Sequence, residues 1–140
     1  MFTLISENSF DAAHFLHGYN GKCSNIHGHR WRVVVEIFSD TLSQDTHTRG
    51  MVVDFDTLKE DIKNEVDYFD HSLIIEKGTL KEKTYEALKE EKIRIIEVDF
   101  RSTAENFSKY FYELFKKKGY QVKKVSVYET PNNCATYSEE

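Results

Sequence analysis

The chain has 140 residues, 39% of them hydrophobic and 31% charged, with a formal net charge of −5. That length predicts one domain, residues 1–140, with enough interior to fold without staples. Its basic residues are scattered rather than striped, which excludes a nucleic-acid surface, and no apolar stretch approaches the ~18 residues of a membrane helix. The N-terminal "MFTLISENSF" shows no basic segment followed by an apolar run, so no secretion signal is expected. Cys23 and Cys134 make no disulfide framework and read as reduced thiols, which predicts a cytoplasmic protein.

In chain order, "FTLISENSFDAAHF" alternates loosely and predicts a strand ending near His14. In "HGHRWRVVVEIFS", His27, His29, Trp31, Val33, Val35 and Ile37 share one strand face, with Arg30, Arg32 and Glu36 on the other. The polar "TLSQDTHTRG" reads as a loop, and "MVVDF" as a further extended run. Leu58, Ile62, Val66 and Phe69 recur at helical spacing behind Asp54 or Asp56 as a cap. Residues 79–90 predict a short helix, followed by the extended "IRIIEVDF". Ser102-Thr-Ala-Glu105 has capping-box form, Phe107, Tyr110, Phe111, Leu114 and Phe115 make a helical stripe, and Gly119 can end it. "QVKKVSVYE" and "NCATYS" predict strands joined across "TPNN". This order predicts an α+β fold, with both helices on one face of an antiparallel sheet. The other face is then polar or meets a partner, and an oligomer is expected.

The chemistry concentrates in "KCSNIHGHRW", Lys22 to Trp31. Strand residues two apart point the same way, so His27 and His29 can reach one ion, with His14 supplying a third imidazole from a neighbouring strand. Three imidazoles leave a tetrahedral position open, as in catalytic zinc; Cys23 as a fourth ligand would instead close the site. His17 and His47 fall in loop-like segments and read as surface residues. Cys23, in a polar setting, reads as a reactive thiol. Asp70 beside His71 can fix the tautomer of that imidazole. Glu105 reads first as the capping-box glutamate. Glu129 continues the inward face of Val125 and Val127, where a carboxylate is costly to bury unless a ligand donates hydrogen bonds to it.

"FDAAH", "CSNIHGH", "FDHS", "STAEN" and "VYETPNN" occur in the order and approximate spacing of the 6-pyruvoyltetrahydropterin synthase / 6-carboxytetrahydropterin synthase family, which the chain resembles over nearly its whole length. The resemblance implies the T-fold (tunnelling fold), with a four-stranded antiparallel sheet, two helices on one face, and homohexamers with active sites at subunit interfaces. It implies Zn2+ on His14, His27 and His29, Cys23 as general base or acid, and Asp70 with His71 as a second proton-transfer pair. Glu129 would bind the pterin ring N–H and amino group, with Glu105 a further substrate-binding glutamate.

Within the family, Cys23 stands where a folate-pathway branch carries glutamate, and the three residues between Cys23 and His27 resemble the bacterial queuosine-pathway branch. "YETPNN" resembles the animal ending, and Ser102 stands where bacterial members often have proline. The activity implied is zinc-dependent conversion of 7,8-dihydroneopterin triphosphate to 6-carboxy-5,6,7,8-tetrahydropterin, a carbon–carbon lyase reaction. The alternative is the pyruvoyl activity, triphosphate elimination without carbon–carbon cleavage. Outside the family, a zinc hydrolase would not need Cys23, and a non-catalytic zinc or pterin-binding module would have no open position. Lys22 is the cation expected near the triphosphate, because Arg30 and Arg32 face away from the histidines.

Overall fold

The computed structural model describes residues 1–140. The elements are β1 (Phe2–His14), β2 (His27–Ser39), α1 (Phe55–Asp67), β3 (Ser72–Glu76), α2 (Glu82–Glu90), β4 (Ile95–Val98), α3 (Ala104–Lys117), β5 (Val122–Thr130) and β6 (Asn133–Tyr137). A 3₁₀ turn at Lys22–Ser24 interrupts the connection from β1 to β2. β1 and β2 pair antiparallel along their full length, from Phe2 opposite Ser39 to His14 opposite His27. The expected alternation holds: Trp31, Val33, Val35 and Ile37 of β2 are buried on one face of the ladder, where Phe10 of β1 is opposite Trp31 and His14 opposite His27.

The sheet differs from the expected four antiparallel strands. It has six, in the order β4-β3-β1-β2-β5-β6. β1, β2, β5 and β6 form an antiparallel block, and β3 and β4 extend it by parallel pairing beside β1. β3 is the run "SLIIE", in which Ser72, Leu73, Ile74 and Ile75 are all buried. A strand covered on both faces carries no two-residue period, so alternation cannot reveal it. The parallel pair β3 and β4 requires a crossover, which α2 supplies.

There are three helices: α2 is the short helix expected over residues 79–90, and it joins the two that the family resemblance implies. α1 lays Leu58, Ile62 and Val66 on the inner face, with Phe69 following, and α3 adds Phe107, Phe111 and Phe115. α2 buries none of its residues and lies on the opposite face, where Tyr85 shares a small cleft with Ile75 and Glu97. Asp54 caps α1 by accepting from the Asp56 N–H at 2.9 Å. "MVVDF" is not a strand; its Met51 carbonyl instead accepts from the Ser43 N–H at 2.8 Å, folding the polar loop back on itself.

The core is aromatic. Phe107 lies 5.1 Å from Trp31, 5.5 Å from Phe69 and 5.3 Å from Phe100, centroid to centroid, and Phe10 stacks on Trp31 at 5.9 Å. Trp31 is the last apolar layer on the inner face of β2; beyond it the same face carries His29 and His27. No helix is long and apolar enough to cross a membrane.

Candidate functional site

Strand register brings the histidines together. His14 and His27 are directly opposite across the β1–β2 ladder, and His29 lies two residues along β2, opposite Ala12. Imidazole centroids are 4.6 Å apart for His14 and His27, 4.8 Å for His27 and His29, and 5.2 Å for His14 and His29. Glu129 completes the group from β5, at an irregularity where the register shifts between Tyr128 and Thr130. One ligand atom from each of His14, His27, His29 and Glu129 lies within 4.8 Å of the others.

Hydrogen bonds fix two of the tautomers. His14 Nδ1 is 2.9 Å from the Ser102 carbonyl and 3.0 Å from Ser102 Oγ; His27 Nδ1 is 2.7 Å from the Asn25 carbonyl. A carbonyl only accepts, so each Nδ1 carries its proton and each Nε2 presents a lone pair. The Nε2 atoms of His14, His27 and His29 are buried without a hydrogen-bond partner, and Glu129 Oε1 lies 3.3 Å from His14 Nε2 and 3.0 Å from His29 Nε2. Lone pairs and a carboxylate aimed at one point repel unless something positive lies between them. Burial, above all, holds His29 below its usual imidazole value, and the other two histidines push the same way, so the neutral form that a metal needs is favoured. Ligand atoms within 4.8 Å of one another are close enough to be drawn onto a single ion at the ~2.0–2.1 Å of a zinc–imidazole bond. The residues fit a divalent metal.

Cys23 lies on the 3₁₀ turn, half-buried and outside the four-residue group; its carbonyl accepts from the Leu16 N–H at 2.9 Å. The fourth member of the group is therefore Glu129, which sequence reasoning placed on the inward face but not beside the histidines.

Asp70 and His71 form a fixed corner between α1 and β3. Asp70 Oδ1 accepts from the Asp11 N–H at 2.8 Å, and Oδ2 accepts from His71 Nδ1 at 2.8 Å, leaving His71 Nε2 as the free basic nitrogen. The Asp11 N–H first, and His71 after it, hold the Asp70 carboxyl below its usual range. His71 has φ 55°, a left-handed conformation uncommon outside glycine, and its N–H donates to the Asp11 carbonyl at 2.7 Å. Arg94 secures the corner by donating to the Tyr68 and Asp70 carbonyls. His71 and His29 line one cleft of about 760 Å³. A second cleft holds His29, Arg30, Arg32 and Glu129.

Cys23, Glu105 and Lys22 line neither cleft within one chain. Glu105 is exposed in the first turn of α3 and is not part of a capping box. The cap is Thr103, which accepts from the Asn106 N–H at 3.2 Å. Ser102 is displaced from capping by its contact with His14. His17 and His47 are exposed, as expected.

Residues 3–140 match the family described as 6-pyruvoyl tetrahydropterin synthase. The chain belongs to that family. Among relatives of this family member, the Haemophilus influenzae protein named 6-carboxy-5,6,7,8-tetrahydropterin synthase is 33% identical over 142 residues, spanning 99% of this chain and 100% of the relative. The protein of that name from Aquifex aeolicus is 36% identical over 132 residues, 85% of this chain and 77% of the relative. The solved Caenorhabditis elegans 6-pyruvoyl tetrahydropterin synthase superposes with a TM-score of 0.70 at 27% identity, covering 99% of this chain and 96% of that one. An uncharacterised Wolinella succinogenes protein shares the fold, with a TM-score of 0.79 at 20% identity over 99% of this chain and 98% of its own. The T-fold expected for the family thus holds, with β3, α2 and β4 joining the four strands and two helices that the resemblance implies; of these three, only β3 is not read from the sequence.

Proposed function

We propose that this protein is a zinc-dependent lyase converting 7,8-dihydroneopterin triphosphate to 6-carboxy-5,6,7,8-tetrahydropterin, with release of acetaldehyde and triphosphate, in queuosine biosynthesis in the cytoplasm. The observation that carries the reading is the convergence of the His14, His27 and His29 Nε2 atoms beside a cleft that also holds His71. The names of the Haemophilus and Aquifex relatives support the carboxy product over others.

Zinc held by the three imidazoles supplies Lewis-acid polarisation of the side-chain hydroxyls of a bound pterin. His71 Nε2 is oriented to take a proton from substrate in the cleft, because Asp70 occupies its Nδ1–H. Cys23 moves a second proton as thiolate or thiol. Glu129 Oε1 faces the imidazoles, and its other oxygen is available to the pterin ring N–H and 2-amino group, which anchors the ring beside the cluster. Glu105 adds a further substrate contact. A homohexamer whose copies share each working site would let Cys23 and Glu105, which lie outside these two clefts of one chain, reach the substrate.

The pyruvoyl activity is the second reading, favoured by the "YETPNN" ending and by the likeness to the nematode enzyme. The test is to incubate zinc-loaded protein with dihydroneopterin triphosphate and identify the products. Acetaldehyde with 6-carboxytetrahydropterin is expected; 6-pyruvoyltetrahydropterin would replace the first reading by the second, and no turnover would leave a pterin-binding module.

A further inference from the structure

α2 and α3 end in the same hydrogen-bonded motif with different residues. After α3, Gly119 adopts φ 105° while its N–H donates to the Lys116 carbonyl at 3.0 Å and the Tyr120 N–H to the Phe115 carbonyl at 3.2 Å. After α2, Lys92 adopts φ 61° while its N–H donates to the Lys89 carbonyl at 2.9 Å and the Ile93 N–H to the Leu88 carbonyl at 3.1 Å. This is the Schellman closure, whose left-handed position is the usual place for glycine because a Cβ is disfavoured there. Lys92 and His71 are the only non-glycine residues with positive φ in the chain, and both line the cleft that contains His29. Backbone strain that collects around one cleft points to a function for the side chains it carries.

Lys92 is exposed and has no carboxylate partner within ion-pairing distance. Around the cleft stand three cations, Arg30, Lys92 and Arg94. The carboxylates nearby are already engaged: Asp11 by Arg30 at 3.0 and 3.2 Å, and Asp70 by His71 and the Asp11 N–H. Arg94 is immobilised by the two carbonyls at the Asp70 corner, so its charge is fixed beside the cleft. Lys22 lies outside this cleft, and Arg32 is turned to Glu7 and the face of Tyr128. In a chain of net charge −5, this is a local concentration of positive charge in a cleft that shares His29 with the candidate metal group.

We propose that Lys92, with Arg94, seats the polyphosphate tail of the substrate, an assignment that rests on the pterin triphosphate reading above. The pterin lies toward Glu129 and the imidazoles, and the tail runs over the β3–β4 end of the cleft. Lysine acts there as a point charge on phosphate oxygens, while Arg94 holds both the tail and the His71 corner.

The test compares the parent protein with Lys92→Gly and Lys92→Arg. Calorimetric binding of inorganic triphosphate is measured on zinc-loaded and on metal-free protein, so that capture of the anion by the metal is counted separately. Lys92→Gly is expected to bind the anion about 5- to 10-fold more weakly, with the loss in turnover falling on KM rather than kcat. Its melting temperature holds or rises, because glycine suits the left-handed position. Lys92→Arg keeps the affinity. Unchanged triphosphate binding in Lys92→Gly, or equal loss in Lys92→Arg, would overturn the assignment. If the parent protein binds triphosphate through Lys92 yet turns over no pterin, the polyphosphate seat stands and the substrate reading fails. If it turns over pterin and Lys92→Gly leaves KM unchanged, the seat fails and the substrate reading stands.

Discussion

Ser102 and Thr103 are neighbours with separable roles, and exchanging each for alanine should affect different measurements. Ser102→Ala removes the Oγ at 3.0 Å from His14 Nδ1 and leaves the Ser102 carbonyl at 2.9 Å. Groups that orient a ligating imidazole are worth about 10- to 100-fold in metal affinity. Since one of the two acceptors survives, the loss should sit at the lower end, about 10-fold or ~1.4 kcal/mol in zinc binding. Thr103→Ala removes the cap on the Asn106 N–H instead and should cost ~1 kcal/mol of folding stability with zinc affinity intact. Competition against a chromophoric chelator near neutral pH reads the first effect, and thermal melts of the metal-free proteins read the second. If Ser102→Ala leaves zinc affinity unchanged, or if Thr103→Ala weakens zinc the more, the argument that the Ser102 hydroxyl helps to orient the His14 imidazole is wrong.

Cys23→Ala should lower turnover by about 100-fold or more, the value of a positioned acid or base, while zinc stays bound; zinc loss in that variant would show the thiol to be a ligand. Asp70 has a folded-state pKa lowered by the Asp11 N–H and His71, so the stability it contributes is fully present above the unfolded carboxyl value of ~3.9 and is lost as pH falls through the lower folded value. The melting-temperature gap between parent and Asp70→Asn should therefore be widest above about pH 4 and close on acidification, and a gap independent of pH would refute it. Phe107→Ala removes a fully buried ring touching Phe10, Trp31, Phe69, Phe100 and Phe111, and should cost about 3–5 kcal/mol in denaturant unfolding.

The parts of this fold legible in the sequence are those with a period. Alternation from His27 to Ile37 gave both the buried face of β2 and the shared direction of its two histidines, and the spacing of Leu58, Ile62 and Val66 gave α1. Pairing with His14 followed from the expected end of β1. The parallel extension was hidden because "SLIIE" is buried on both faces, and because its pairing with β1 and β4 depends on contacts distant in sequence. Ser102 and Thr103 are chemically alike as caps; only the contact with His14 separates them. Glu129 was recognisable as an inward carboxylate, but its approach to the imidazoles depends on the irregularity between Tyr128 and Thr130. Lys92 gives no sequence signal, since a left-handed lysine is visible only in the backbone.

The two strands added beside β1 divide the labour of the site between separate pieces of chain. The metal-gripping imidazoles hang on the long β1–β2 ladder, whose register is locked over thirteen residue pairs. Asp70, His71, Lys92 and Arg94 all sit at the junctions of the βαβ annex. Loop lengths and side chains in the annex can therefore drift over evolutionary time, or be exchanged by an engineer, while the ion-holding ladder stays untouched. A scaffold of this kind can retune which substrates it accepts without first relearning how to hold its metal.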